Sequence, residues 1–320
     1  MATRLKLHPV FDKANRPLSD TAIAYDGLAA VYRQRGEHDT NGLFEFAGAR
    51  SYTDRALWAR LDAMLVRLWT GGRRAIRILD LGCGTGSWLL RLAVRARDLG
   101  FSAIDGLGVD ISPAMIDIAR SHLRYAFDPH IGLGFEVADM LEAMDAEDEG
   151  SFDIVICLGV LNHLTADQRA HAGAAIERVC DGEIFVTTPS VGGNLSGDLA
   201  DAFDVRQLHQ DNGADRLEIH LQDGRRLDLP SHLFSAGELV TMFSDHVERR
   251  ELLGLDLFHG RFHDDPGWNP RGLDHRDRDE ELERLEHLCE AMPAMLDSAA
   301  QIFFHGRTME GPTHFASRDG

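Results

Sequence analysis

Apolar residues along this 320-residue chain fall into two alternating kinds of segment, short continuous runs and repeats spaced three to four apart. That alternation predicts strands and helices in turn, the arrangement a parallel sheet with flanking helices requires. The chain begins with two helical patterns. Ala24, Tyr25, Leu28, Ala29 and Tyr32 share one face, and Leu57, Leu61, Leu65 and Leu68 share another behind Asp54 as N-cap. Strands are predicted at residues 76–81, up to Asp110, at 131–137, 152–161, 183–188, 250–257 and 300–304. Between them, Ser112-Pro113 starts one helix, Thr165-Ala-Asp-Gln168 opens another that ends near Val179, and Ser235-Ala-Gly-Glu238 opens a third to Phe243. A last helix, 279–296, is expected to turn Leu282, Leu285, Leu288 and Met292 inward. Residues 1–70 read as an N-terminal helical cap and 71–320 as the main domain, with insertions at 189–234 and 258–278. The first insertion alternates about Asp223-Gly224, a β-hairpin signature.

The chemistry concentrates at the end of the first predicted strand. Asp80 is followed by glycines at alternate positions, Gly82, Gly84 and Gly86, and then by a helical pattern with Trp88, Leu89, Leu92 and Ala93. Glycines at a strand-to-helix junction permit a tight turn and let a ligand approach the main chain. Asp80 can accept hydrogen bonds from an ammonium or hydroxyl group. Asp110, at the end of the second strand, is suited to the two hydroxyls of a ribose. The pair signals a ligand containing a nucleoside. A dinucleotide site would carry its third glycine at position 87, where this chain has Ser87.

The Asp80-x-Gly82-x-Gly84-x-Gly86 pattern resembles the first motif of the class I, seven-stranded S-adenosylmethionine-dependent methyltransferases. The resemblance is close over 76–190 and looser elsewhere. It implies a Rossmann-like α/β fold, with a doubly wound, mostly parallel sheet of seven strands and an antiparallel last strand. It also implies that the glycine loop lies against the amino-acid end of the cofactor and that Asp110, with Ile111 beside it, holds the ribose. Asp139 would meet the adenine amino group with Met140 against the ring, and Leu158 would close over the cofactor. Tyr25, on the first helix, is a further candidate to fold over it. Because strands four and five of this family end beside the methyl group, the hairpin insertion is expected to act as a lid over the acceptor.

Composition narrows the function. A formal net charge of −19 argues against binding to nucleic-acid backbones, which need a positive surface, although a local basic groove stays open, and it disfavours anionic membranes. No apolar stretch approaches the roughly 20 residues of a membrane span, and no secretory signal is visible at the start. Cys83, Cys157, Cys180 and Cys289 lie far apart, as expected of reduced thiols in a cytoplasmic protein. Cys83 reads as a small residue within the loop rather than a nucleophile.

A sulfonium donor arrives already activated, so the protein must chiefly align the acceptor and exclude water. A general base is needed only where the acceptor carries a proton to lose. His163, just after the fourth strand, is the candidate, with His220 and His232 next. No Asn/Asp-Pro-Pro-Tyr/Phe or Pro-Cys motif follows that strand, which argues against methylation of nucleobases. Val160-Leu161-Asn162 and Thr187-Thr188-Pro189 stand where metal-dependent relatives carry acids. His259, His263, Asp264 and Asp265 have ligand chemistry, yet i,i+4 spacing in a loop does not bring two imidazoles together, and no metal is expected. The expectation is methyl transfer to a small-molecule acceptor. Methylation of a protein or tRNA, and cofactor binding without catalysis, stay open, as does the oligomeric state.

Overall fold

The computed structural model describes residues 18–35, 43–46, 51–193, 205–259 and 275–309. Two helices lead the chain, α1 (Asp20–Arg35) and α2 (Ser51–Thr70). Strand β1 (Ala75–Leu81), helix α3 (Ser87–Leu99), β2 (Ala103–Asp110), α4 (Pro113–His122), β3 (Ile131–Val137), α5 (Met140–Asp145) and β4 (Phe152–Leu158) then alternate. A 3₁₀ turn, Leu161–His163, leads to α6 (Ala166–Val179) and β5 (Cys180–Pro189). The insertion holds β6 (Val205–Asp211), β7 (Arg216–Leu221) and β8 (Arg226–Pro230). Last come α7 (Ala236–Thr241), β9 (Val247–Leu255), α8 (His275–Cys289), α9 (Pro293–Leu296) and β10 (Gln301–Thr308).

Seven strands form one sheet in the order β3-β2-β1-β4-β5-β10-β9. The first five are parallel, and β10 runs antiparallel to both of its neighbours. The predicted architecture is therefore present, antiparallel strand included. The chain order reverses between β1 and β4, so the carboxyl ends of these strands flank the crevice where open α/β sheets bind ligands.

Residues of β1 serve both faces of the sheet, which is why its pattern is nearly continuous. Ile76 and Ile78 pack with Leu61, Met64 and Leu65 of α2 and Leu89 and Leu92 of α3. Leu79 and Leu81 pack on the other side with Ile176 and Val179 of α6 and Leu239 of α7. Full burial of such side chains contributes about 1.5–3 kcal/mol each, so α2 is fastened to the sheet by its apolar stripe. A third cluster joins α1 (Ala24, Leu28, Ala29), α4 (Met115, Ile118) and the insertion (Leu217, Ile219, Leu221, Leu227, Leu229).

Several elements depart from expectation. Helix α2 begins at Ser51, so Asp54 sits within the first turn rather than at the cap. The sixth and seventh sheet strands run Val247–Leu255 and Gln301–Thr308, the latter longer than its apolar core. The hairpin is extended by β6, which pairs antiparallel with β7 and makes the insertion a three-stranded sheet. The last helix is two, divided before Pro293, and its inward face is different. Leu282 is buried, but Leu285, Leu288 and Met292 are exposed. Glu286 takes the inner position instead. Its carboxylate accepts the backbone N–H groups of Leu257, Phe258 and His259 at 3.1, 2.7 and 2.8 Å, and satisfying these donors outweighs burying another leucine.

Candidate functional site

The glycine loop after β1 is left-handed at all three glycines, with φ of 64° at Gly82, 53° at Gly84 and 74° at Gly86. Two of them are packed from below. A Cβ on Gly82 would lie 2.3 Å from Val160 Cγ2, and one on Gly86 would lie 2.6 Å from Phe135 Cε1. Gly84 differs, for a Cβ there would meet nothing within 4 Å. The loop is thus closed against the protein at both ends and open at its middle.

Two carboxylates define the electrostatics. Asp110 binds the loop directly, since its Oδ2 accepts the N–H of Gly84 at 2.9 Å while Oδ1 accepts that of Ser112 at 2.8 Å. Burial nonetheless pushes its carboxyl up to about 6, against the pull of those two donors. Asp80 is buried at the end of β1, and its Oδ2 has no hydrogen-bond partner. Burial first, and the charge of Asp110 second, push Asp80 up to about 8. A buried carboxyl oxygen with no partner is expensive unless a ligand supplies one.

The neighbouring strand ends bring the other predicted residues to the same edge. Asp110 pairs with Val137 in the β2–β3 register, and Ala138 N donates to Asp110 O at 3.0 Å, which sets Asp139 next to the ribose candidate. Asp139 also caps α5, its Oδ1 accepting from Leu141 N at 2.8 Å. Met140 is buried in the core beside it, whereas Ile111 and Leu158 are half-buried. Cys83 is buried and its thiol is pushed well up by burial and by the two aspartates, which leaves it protonated and inert.

Tyr25 and His163 meet across 138 positions of sequence. The Tyr25 hydroxyl lies 2.6 Å from His163 Nε2, with the rings edge to face at 5.2 Å. His163 Nδ1 lies 3.0 Å from the carbonyl of Pro230, at the end of β8. Burial lowers the His163 pKa below its ordinary 6.5, against the pull of that carbonyl. The ring is therefore neutral at pH 7, and the tautomer follows from its partners. Pro230 O can only accept, so Nδ1 carries the proton and Nε2 accepts from Tyr25.

Several residues at this edge escaped sequence reading. Asp26, beside Tyr25, accepts from Ala114 N at 3.1 Å and from the Ser112 hydroxyl, adding a second acid to the N-terminus of α4. Ser112 itself is the predicted cap and accepts from Met115 N. Asn162 is fully buried with neither side-chain amide atom partnered, and the Thr188 hydroxyl is likewise buried without a partner. A polar residue inside the apolar run from Cys157 to Leu164 is the signal that marked Asn162. His232 is held at both nitrogens, by Asp215 Oδ1 at 2.6 Å and Glu238 Oε1 at 2.7 Å, while Arg169 binds the other oxygen of Asp215 at 2.8 Å. It fastens the insertion to α6 and α7, with no nitrogen left to serve as a base. His220 lies 3.3 Å from Glu218.

The sheet order, the antiparallel β10 and the glycine loop coincide with a match of residues 78–182 to the family model described as "Methyltransferase domain". Over those residues the chain is similar to the class I methyltransferases. It is 32% identical over 186 residues to "Ubiquinone biosynthesis O-methyltransferase" of Alkalilimnicola ehrlichii, a match covering 56% of this chain and 64% of that protein. It is also 32% identical over 114 residues to "Indolepyruvate C-methyltransferase" of Streptomyces griseus, covering 35% of this chain and 32% of that protein. The chain thus spans less than two thirds of the length of these relatives. Among solved structures, an S-adenosylmethionine-dependent methyltransferase from Mesorhizobium loti aligns with a TM-score of 0.43 at 17% identity, covering 82% of this chain and 98% of that one.

S-adenosylmethionine is the cofactor of this methyltransferase family. The residues here fit its chemistry. The unpartnered oxygen of Asp80 suits an ammonium, and the open face of Gly84 admits a ligand to the main chain. Among the described residues no group of three or more His, Cys, Asp or Glu side chains is placed to hold a metal ion, and no helix is long and apolar enough to cross a membrane. The candidates His263, Asp264 and Asp265 lie outside the described residues.

Proposed function

We propose that this chain transfers the methyl group of S-adenosylmethionine to a small-molecule acceptor. The observation that carries the reading is the pairing of a buried, unpartnered carboxyl oxygen on Asp80 with the open middle of the glycine loop. When bound, the cofactor supplies a methyl group activated by its sulfonium. Asp80 would hold its ammonium, Gly84 would admit it to the loop, and Asp110 with Ile111 would face the ribose. Asp139 and Met140 would border the adenine, and Leu158 and Tyr25 would border the reacting end. Beyond these contacts the protein's task is to position the acceptor and exclude water.

A small acceptor is favoured by the roof over the carboxyl edge. Helix α1 and the insertion β6–β8 pack together there, and Pro230 of the insertion holds His163 after β4. The names of the relatives, one for O-methylation in ubiquinone biosynthesis and one for C-methylation of indolepyruvate, point to small acceptors as well. The test is incubation with methyl-tritiated S-adenosylmethionine and a small-molecule cell extract, with a protein and RNA fraction in parallel. Label in a low-molecular-weight product supports the reading. Label only in protein or RNA, or none despite cofactor binding by calorimetry, refutes it.

A further inference from the structure

We propose that Tyr25 is the group that meets the acceptor and that His163 receives the proton through it, so that the site serves acceptors carrying an O–H or N–H to lose. The inference rests on the methyl-transfer reading and deepens it.

Three observations carry it. First, the reactive nitrogen of His163 is not open to an acceptor, because Nε2 is taken by the Tyr25 hydroxyl at 2.6 Å. Second, the other nitrogen is held on the Pro230 carbonyl at 3.0 Å, which fixes the tautomer that can receive a proton at Nε2. Third, Tyr25 lies over the reacting edge. Its neighbour Asp26 is bound at the end of β2, to Ser112 and Ala114, while Tyr25 itself reaches the turn after β4. Strand β1 lies between β2 and β4 in the sheet. Residues 25 and 26 therefore lie across the carboxyl ends of the strands on either side of the glycine loop, with the tyrosine oxygen on His163.

The proton path balances. The acceptor's O–H or N–H proton passes to Tyr25 Oη as Tyr25's own proton passes to His163 Nε2. The acceptor's electron pair forms the bond to the methyl carbon, and the sulfur takes back the pair of the broken S–C bond. His163 is left as imidazolium, its Nδ1–H still on Pro230 O. Burial keeps the resting ring neutral and thus ready to accept. The titratable groups on the elements packed against it include Asp20, Tyr25 and Asp26 of α1 and Asp215, Glu218, His220, Asp228 and His232 of the insertion. Asp26 is bonded to Ser112, Asp228 is paired with Arg216, and Asp215 with His232. The polar groups that bear on the ring are the Pro230 carbonyl and the Tyr25 hydroxyl.

The first arm of the test needs no acceptor. Ring-¹⁵N histidine labelling of the full chain, with His163→Gln for assignment, should give His163 as neutral with the proton on Nδ1 at pH 7. Tyr25→Phe should shift its Nε2 resonance. An Nε2–H tautomer or an imidazolium at pH 7 overturns the relay. The second arm uses methyl-tritiated S-adenosylmethionine with the small-molecule extract. Tyr25→Phe and His163→Gln should each lower the rate of transfer roughly 100-fold or more, and both should lose the acid limb of the pH–rate profile. The double variant should fall no further than either single one, as expected of residues acting as a unit. A Tyr25→Phe rate within about threefold of wild type, or losses that multiply in the double variant, would show a merely structural bond. No transfer by the wild type sinks the methyl-transfer reading and this one with it, whereas equal transfer by wild type and Tyr25→Phe sinks the relay alone.

Discussion

Cofactor binding should depend on pH through Asp80, and the size of the effect can be worked from its environment. With its carboxyl pushed up to about 8, Asp80 is largely protonated at neutral pH before the cofactor arrives. A cationic ammonium bound to it requires the carboxylate. The ionised fraction rises from about 3% at about pH 6.5 to about 24% at about pH 7.5, so affinity should rise about eightfold, or about 1.2 kcal/mol, across that window. Asp110, pushed up only to about 6, is mostly ionised throughout it. The free ammonium, with an α-amino pKa of about 8, falls from about 97% to about 76% charged across it, which trims the net rise to about sixfold. Calorimetry with S-adenosylmethionine in buffers of different ionisation enthalpy should register a net release of about 0.8 proton per cofactor at about pH 7. Asp80→Asn should bind more weakly at the upper end of the window and lose both the slope and the proton release. Affinity that stays flat across the window in the wild type, or proton uptake on binding, would show that no cation docks on Asp80.

The loop glycines should separate into two kinds. Gly84→Ala places a methyl in open space at a left-handed φ, costing about 1–2 kcal/mol of fold stability but weakening cofactor binding more than about tenfold. Gly86→Ala drives a methyl into the Phe135 ring and should show mainly as a lower urea midpoint, so equal behaviour of the two would contradict the open-cradle geometry. Glu286→Ala strands three backbone N–H groups and should cost at least about 3 kcal/mol in urea unfolding, and a loss under about 1 would mean water replaces the carboxylate. Burial alone would lower the His305 pKa, but its bonds to Glu183 and Glu251 raise it above 6.5. That stabilisation is complete below the unfolded value of about 6.5 and is lost as pH rises through the folded one. The urea midpoint should therefore fall from about pH 6 to about pH 9, less so in His305→Gln, and an unchanged slope in that variant would refute the linkage.

The central strands were legible because each is buried on both faces, which leaves a continuous apolar run such as Ile76 to Leu81. The loop was legible because its backbone is left-handed at Gly82, Gly84 and Gly86, a conformation that favours glycine at each of these positions. Strand β6 was not, since Val205–Asp211 is polar and largely exposed, and its partner strand rather than its composition makes it a strand. The inward face of α8 was misjudged for a related reason. Periodicity weighs apolar residues, whereas Glu286 is inside to satisfy donors at the end of β9. Asp26 and the Tyr25–His163 bond lie beyond any local pattern, because side chains 86 and 138 positions apart meet only once the sheet has ordered its strands.

The N-terminal helix and the insertion are better understood together than as cap and flap. The inner face of β7 and β8 has Leu217, Ile219, Leu227 and Leu229 against Ala24 and Leu28 of α1, and α1 in turn rests on Met115 and Ile118 of α4. Polar contacts run the same way. Asp20 accepts the N–H of Asp228 at 2.9 Å, Asp26 holds the start of α4, and Pro230 holds the ring that Tyr25 contacts. Neither α1 nor a three-stranded sheet of short strands could bury its apolar face alone, so each is the other's core. One consequence bears on chemistry. Whatever displaces the insertion also removes the partner of α1, and with it the position of Tyr25 on His163. Acceptor enclosure and proton transfer are in this way built on the same set of contacts, which ties the reactive hydroxyl to a covered site.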